Sequence, residues 1–415
     1  MQSLSRNGEV KEFVKDYGMV IVDECHHVSA FNLEQILKKV NAKFVYGLTA
    51  TPIRKDGHDP IIFMQCGPLR YRVDPIKQAD MRPFDHYIIP RFTSFRVDTS
   101  ENSTINDIYS KIIKSNMRNK LITEDILESL KLGRCSIVIT ERTAHADILS
   151  EILKSHTKNV IILNGSLKSK ERKDELEKIR AIPKNESFVI VATGKFVGEG
   201  FDEPRLDTLF LAMPISWKGT LQQYSGRLHR LYENKLEVQV YDYVDIHVEM
   251  LTKMYQKRLK GYADIGYKVK GNLKEKQKID TIYNSKNYWN TYLKDLIFSK
   301  KEIFIASPNI NETSFNKLGN ELEKLVNSGV KITIVTNTIE RIKETIKNLC
   351  FKLQSQGINI IFKEKTYNKF TVIDNRVVWY GGISTLGFTN LEESIMRIED
   401  YRISKELLRD FSNKT

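Results

Sequence analysis

The chemistry in this sequence is concentrated where short apolar runs end. Met19-Val20-Ile21-Val22 passes directly into Asp23-Glu24-Cys25-His26-His27. An apolar run that stops on two acids reads as a buried parallel strand, delivering polar groups to the crevice at its carboxyl end. One carboxylate there, Asp23, can hold a Mg²⁺ that bridges nucleotide phosphates, and the other, Glu24, can orient or deprotonate an attacking water. A second run, Lys43 to Leu48, ends in Thr49-Ala50-Thr51-Pro52. The hydroxyls of Thr49 and Thr51 can hydrogen-bond the two acids. A third run ends at Ala192-Thr193 and continues to Glu199-Gly200-Phe201-Asp202-Glu203-Pro204. Gly200 permits close backbone approach to a ligand, and the acids can hold a ribose or a neighbouring arginine. Last comes Gln223-Tyr224-Ser225-Gly226-Arg227-Leu228-His229-Arg230. Its two arginines, three apart, share a helix face and suit transition-state phosphate charge.

Positioning these groups requires strands that end together. Residues 32–40 read as a helix with Leu33, Ile36, Leu37 and Val40 on one face. The stretch from Pro83 to Arg96 reads as a connector into a second α/β unit. Apolar strand runs follow at 135–140, 160–163, 188–193 and 208–213, and a helix with Ala144, Ile148, Leu149, Ile152 and Leu153 inward lies after the first. Strands alternating with helices predict a parallel sheet with right-handed crossovers.

In this order the boxes, over residues 15–245, resemble a superfamily-2 DEAD/DEAH-like helicase of the type III restriction and XPB-like branch. The resemblance implies two RecA-like domains clamping ATP and Mg²⁺ and tracking along nucleic acid, with DNA expected ahead of RNA. It implies that Asp23 holds Mg²⁺ indirectly and Glu24 positions water, with His26 completing the acid box. It implies further that Thr49 and Thr51 couple hydrolysis to movement, and that Thr193 touches the nucleic-acid backbone. Gly200, Asp202 and Gln223 would shape the nucleotide face, and Arg227 and Arg230 would meet the phosphates. Such enzymes carry a Walker A loop, Gly-x-x-x-x-Gly-Lys-Ser/Thr, well before the acid box. No such segment occurs in this sequence, and Gly194-Lys195-Phe196 lacks both the hydroxyl and the glycine spacing. The chain therefore reads as a helicase truncated at its N-terminus, with negligible ATP turnover alone and an incomplete first sheet. A partner supplying the phosphate-loop half is one expectation.

Residues 251–300 carry twelve Lys/Arg against four Asp/Glu, interleaved with Tyr255, Tyr262, Tyr267, Tyr283, Tyr288, Trp289 and Tyr292. That composition suits gripping a single strand, with rings stacked on bases. It equally suits a helical linker whose rings pack on the next domain. From Glu302 the strand and helix order is similar to one half of a phospholipase D-like domain, whose signature is His-x-Lys-x-x-x-x-Asp. Here the matching stretch is Tyr367-Asn368-Lys369-Phe370-Thr371-Val372-Ile373-Asp374. Lys369 and Asp374 fit, but tyrosine replaces the nucleophilic histidine and is mostly protonated at neutral pH. The module reads as a phosphate-backbone binder through Lys369 or as a dimerisation unit, so a homodimer is a further expectation.

The chain has 415 residues, a net charge of +13 and a pI near 9.3, which favours a polyanionic partner. Its four scattered cysteines form no zinc pattern. No apolar stretch is long enough to span a bilayer and no secretory leader is visible, so a cytoplasmic, membrane-free setting is expected. The fold class is α/β. Residues 1–96 form part of a first RecA-like domain, 97–250 a second, 251–295 a basic, aromatic linker and 296–415 a phospholipase D-like domain. Three functions follow: an ATP-dependent helicase or translocase, a non-catalytic nucleic-acid binder, and a phospholipase D-like nuclease.

Overall fold

A computed structural model describes residues 5–6, 9–25, 31–49, 59–97, 103–194, 202–216, 218–270, 279–338, 344–387 and 392–412. The chain divides into two compact units, Met1–Asp74 and Pro75–Thr415.

In the first unit, strands β1 (Met19–Val22) and β2 (Phe44–Gly47) run parallel, with Val22 opposite Gly47. Helix α1 (Phe31–Lys39) connects them and α2 (Asp59–Cys66) follows. Val22, Cys25, Leu37 and Ile62 bury one face of this ladder. Met19, Ile21, Phe44 and Tyr46 lie on the other and are 45–60% exposed. A parallel sheet ordinarily buries both faces; among the described residues only one face of this ladder is covered.

The second unit opens with a short helix, Pro75–Asp80, followed by β3 (Asp85–Phe92). Helix α3 (Asn116–Lys131), β4 (Cys135–Thr140), α4 (Thr143–Lys154), β5 (Val160–Leu163), β6 (Phe188–Thr193) and β7 (Thr208–Leu211) follow. Then come α5 (Lys218–Gly226), β8 (Glu237–Val244), α6 (Glu249–Asp264), β9 (Lys268–Lys270) and β10 (Ile279–Asp280). The eight strands form one sheet ordered β10-β9-β3-β8-β7-β4-β6-β5, parallel except for β10. On one face Val138, Val189, Val191 and Phe210 meet Ile122, Ile126, Leu149 and Leu153 of α3 and α4. On the other, Ile137, Ile190, Leu209 and Val240 meet Leu221 and Tyr224 of α5 and Tyr255, Leu259 and Tyr262 of α6. This is the doubly covered parallel sheet that the strand spacing predicts.

The stretch read as a connector is in fact β3, between β8 and β9 in the sheet. Pro90 hides it, because proline is rarely found in a central strand. Among the described residues β9 pairs with Tyr87 and Ile88 alone, so Pro90 has a described strand partner only on the β8 side.

Downstream, β11 (Ile282–Asn284), α7 (Trp289–Ile297), β12 (Glu302–Ala306), α8 (Glu312–Asn327) and β13 (Lys331–Asn337) lead into α9 (Glu344–Ser355). Strands β14 (Asn359–Lys363), β15 (Phe370–Ile373), β16 (Val377–Gly381) and β17 (Ser394–Glu399) and helix α10 (Tyr401–Ser412) complete the chain. The sheet order is β11-β17-β16-β15-β12-β13-β14, with β12, β13 and β14 parallel. Ile303, Ile332, Ile334 and Trp379 pack under Leu296, Leu318, Leu322 and Cys350 of the covering helices.

Candidate nucleotide and nucleic-acid site

In the first unit the parallel register carries Asp23 and Thr49 to the same end of the ladder. The Leu48 amide donates to Val22 O at 2.8 Å, and the Cys25 amide donates to Leu48 O at 2.9 Å. The turn is tight: Glu24 has a φ of 48°, and its amide donates to Asp23 Oδ1 at 2.9 Å. Asp23 is exposed, whereas Glu24 and Thr49 are half-buried. His26 and Thr51 lie outside the described residues, as does Gly200.

In the second unit, strand register places Thr193 opposite Thr140 at the carboxyl edge of the sheet, with Thr193 buried. Gly194 follows, and a Cβ there would collide with the Tyr224 hydroxyl and come within 2.7 Å of Glu141 Oε1. Tyr224 Oη donates to that same Oε1 at 2.9 Å. The glycine therefore lets the β6 turn, the loop after β4 and helix α5 meet. Burial, followed by the neighbouring Glu141 carboxylate, pushes the Tyr224 phenol well above its ordinary value, so it stays a donor. Gln223, on α5, and Arg227, in the single tight turn Arg227–His229 that follows it, are half-buried. Arg230 has extended backbone beyond that turn, so the two arginines do not share a helix face as their spacing suggests.

Arg230 Nε pairs with Asp202 Oδ1 at 2.9 Å, so two expected site residues from separate boxes are in contact. Both side chains are more than half exposed, 57% and 54%, and such a pair contributes only about 0–1 kcal/mol by itself. What holds the two segments together is Lys235, an apparently ordinary residue in the sequence. Its ammonium lies 2.8 Å from the carbonyls of Pro204, Leu206 and Arg230 and 3.0 Å from that of Leu228, its three N–H donors shared among the four. Burial draws its pKa down to about 8, which still leaves it charged at neutral pH. Glu203 is held apart from the site by Arg205, whose Nε reaches Oε1 at 2.9 Å and whose other nitrogens donate to Ile179 and Ile182 carbonyls. Lys235 and Glu141 stand outside every motif, and Tyr224 fills an undefined position of one, because each acts on backbone or on one distant partner.

Most of the tyrosines of 251–300 are core, whereas Tyr283 and Trp289 are half-buried and Phe298 is exposed. Tyr255, Tyr262 and Tyr292 are completely buried, and Tyr267 and Tyr288 nearly so. Of the two readings of this stretch, packing is the one the structure shows for these rings. In the phospholipase D-like module, Asp374 is a turn anchor: its Oδ1 accepts from Ser299 Oγ and the Lys301 and Glu302 amides, its Oδ2 from the Lys300 amide. Burial raises its pKa, but these backbone donors outweigh that and hold it below the carboxylate range. Lys369 Nζ pairs with Glu393 Oε1 at 3.0 Å and donates to Gly382 O. Tyr367 Oη donates to Ile246 O at 3.3 Å, and burial pushes its pKa up to about 12. No constellation for phosphodiester attack is assembled among these residues.

Three family models match the chain. "Type III restriction enzyme, res subunit" matches residues 1–54, "Helicase conserved C-terminal domain" 118–232, and "Cardiolipin synthase, PLD-like domain" 292–415. Putative ATP-dependent RNA helicase L396 of Acanthamoeba polyphaga mimivirus is 24% identical over 320 residues, covering 73% of this chain and 57% of that protein. Putative helicase 22 of Sulfolobus islandicus filamentous virus is 26% identical over 252 residues, covering 58% and 44%. The chain thus spans about half the length of these curated relatives. A solved fragment of a putative HsdR subunit of a type I restriction enzyme from Vibrio vulnificus YJ016 is 18% identical, with a TM-score of 0.44 over 61% of this chain and 48% of that one. No described helix is long and apolar enough to cross a membrane.

Proposed function

We infer that this chain, a superfamily-2 helicase with a phospholipase D-like domain after its second RecA-like sheet, acts on nucleic acid as part of an ATP- and Mg²⁺-dependent motor. The observation that carries this is the junction at Asp202, Arg230 and Lys235: two boxes 28 residues apart are tied into one surface by a buried ammonium. Among the described residues no group of three or more His, Cys, Asp or Glu could cage a metal. An exposed Asp23 at a strand end fits instead a hydrated Mg²⁺ held mainly by nucleotide phosphates. That ion would neutralise charge developing on the phosphates. Glu24 orients the attacking water, Arg227 and Arg230 face the phosphates, and Thr49 and Thr51 link the acids to movement. Thr193 and Lys369 contact the polymer backbone, with DNA preferred over RNA.

A second reading, a nucleic-acid binder without turnover, is favoured by one observation: no Gly-x-x-x-x-Gly-Lys stretch occurs in these 415 residues. Both readings require binding. Fluorescence anisotropy with labelled single-stranded DNA and RNA over a salt series measures it. The expected result is binding that weakens steeply as salt rises, as phosphate contacts demand, and is tighter for DNA. No binding to either polymer at low salt would sink both readings.

A further inference from the structure

We propose that the face of the phospholipase D-like module carrying Tyr367 and Asn368 has become a docking surface for the module's own neighbour, the second RecA-like domain, so that the two fold and move as one body. Helix α6 is the shared element. Its Arg258 makes a two-pronged pair with the buried Asp242 of β8, at 2.7 and 2.8 Å, and Tyr262 Oη donates to the same carboxylate at 2.9 Å. Its other side meets the second sheet: Tyr255 Oη lies 3.3 Å from Met396 Sδ, and Gln256 Nε2 donates to Gly381 O at 3.2 Å. One hydrophobic core runs without a break from Ile137 and Val240, through Tyr255 and Leu259, to Val372, Tyr380, Met396 and Leu407. Phe92 at the end of β3 abuts the Tyr380 ring edge-on at 5.1 Å.

The loop after β8 completes the interface. Asp245 is fixed from below by Arg118 at 3.0 Å and Thr93 at 2.5 Å. The next carbonyl, of Ile246, accepts from both Tyr367 Oη and Asn368 Nδ2, at 3.3 and 3.2 Å. His247 then lies between Glu406 and Asp410 of α10, 2.8 Å from each, and Arg96 meets Asp410 at 2.7 Å. Lys365 pairs with Glu249 at 2.9 Å. The tyrosine standing where the family places its nucleophile is thus committed to a backbone carbonyl of the loop after β8, and the next residue of that loop is pinned to α10. If the chain is part of a motor, as proposed above, displacement of the second RecA-like domain carries this module with it.

Hydrogen–deuterium exchange of the full chain across a urea series tests this without reference to nucleotide or nucleic acid, so it can fail independently of the motor reading. Peptides from β4, β6 and β8 and from β12, β15 and β16 are expected to lose protection together, at one urea concentration. Separate loss, with the module opening while the RecA-like sheet stays protected, would overturn the proposal. Tyr367→His restores the family's residue and gives a second reading. The proposal expects no cleavage of single-stranded DNA in EDTA; cleavage above the unmodified chain would contradict it.

Discussion

At the scale of the residue, function rests on a few atoms that sequence patterns do not advertise. Arg230 and Asp202 were legible because they belong to boxes with fixed spacing. Lys235 was not, because what it satisfies is four backbone carbonyls contributed by both boxes. Lys235→Met keeps the stem but removes the donors. The expected cost is about 1–3 kcal/mol for each carbonyl that water cannot reach, seen as a lower urea midpoint. Nucleic-acid affinity should fall as well, since the Asp202–Arg230 surface loses its support. A variant with unchanged midpoint and unchanged affinity would show that Lys235 does not join the two boxes. Gly194 illustrates the same limit. A glycine after Ala-Thr is unremarkable in sequence, yet in space it is the only side chain small enough to let Tyr224 reach Glu141.

At the scale of the element, strands with an unbroken apolar run were read nearly to the residue: Cys135–Thr140 and Phe188–Thr193 stand where the pattern put them. Strands carrying a proline or alternating charges were not, as β3 with Pro90 and β8 with Glu237, Gln239 and Asp242 show. In β8 the two acids are held by tertiary partners, Glu237 by Arg134 and Lys270 and Asp242 by α6, and a partner on a distant element leaves no local trace. Asp242 is the clearest case, fully buried against Arg258 and Tyr262 on α6. Asp242→Asn strands a buried guanidinium, which costs about 3–5 kcal/mol. The expected outcome is an urea midpoint lowered to match. A change within about 1 kcal/mol would mean that the pair contributes little to holding α6 on the sheet.

At the scale of the whole molecule, fold class and the succession of helicase and phospholipase D-like parts followed from box order, whereas the bond between those parts did not. The aromatic, basic stretch suited binding or packing equally, because a ring that stacks on a base and one that fills a core look alike in sequence. Burial resolves Tyr255 and Tyr262 as core. Burial also sets how the folded state responds to acid. Desolvation pulls the pKa of His86 down to about 4 and of His145 to about 3, in both cases helped by a nearby arginine. An unfolded histidine takes up its proton near pH 6.5. The unfolded chain therefore binds more protons below that point, and stability falls as pH drops from about 6.5 toward 4. Urea midpoints measured from pH 7.5 to 4.5 should decline, and His145→Gln, which keeps polar contact with Thr140 and Asn119, should flatten the decline. A midpoint independent of pH over this range would contradict the assignment of both histidines as buried and neutral.

We propose that these 415 residues hold the acid box and arginine pair of an ATP-driven motor and no Gly-x-x-x-x-Gly-Lys stretch to cradle the phosphates. Steady-state ATP hydrolysis by the purified chain, with and without single-stranded DNA or RNA and with Glu24→Gln as the control, tests it most directly. No turnover above the Glu24→Gln variant is expected under any of these conditions. Nucleic-acid-stimulated turnover that Glu24→Gln abolishes would contradict it, and would require another segment of these 415 residues to bind the phosphates.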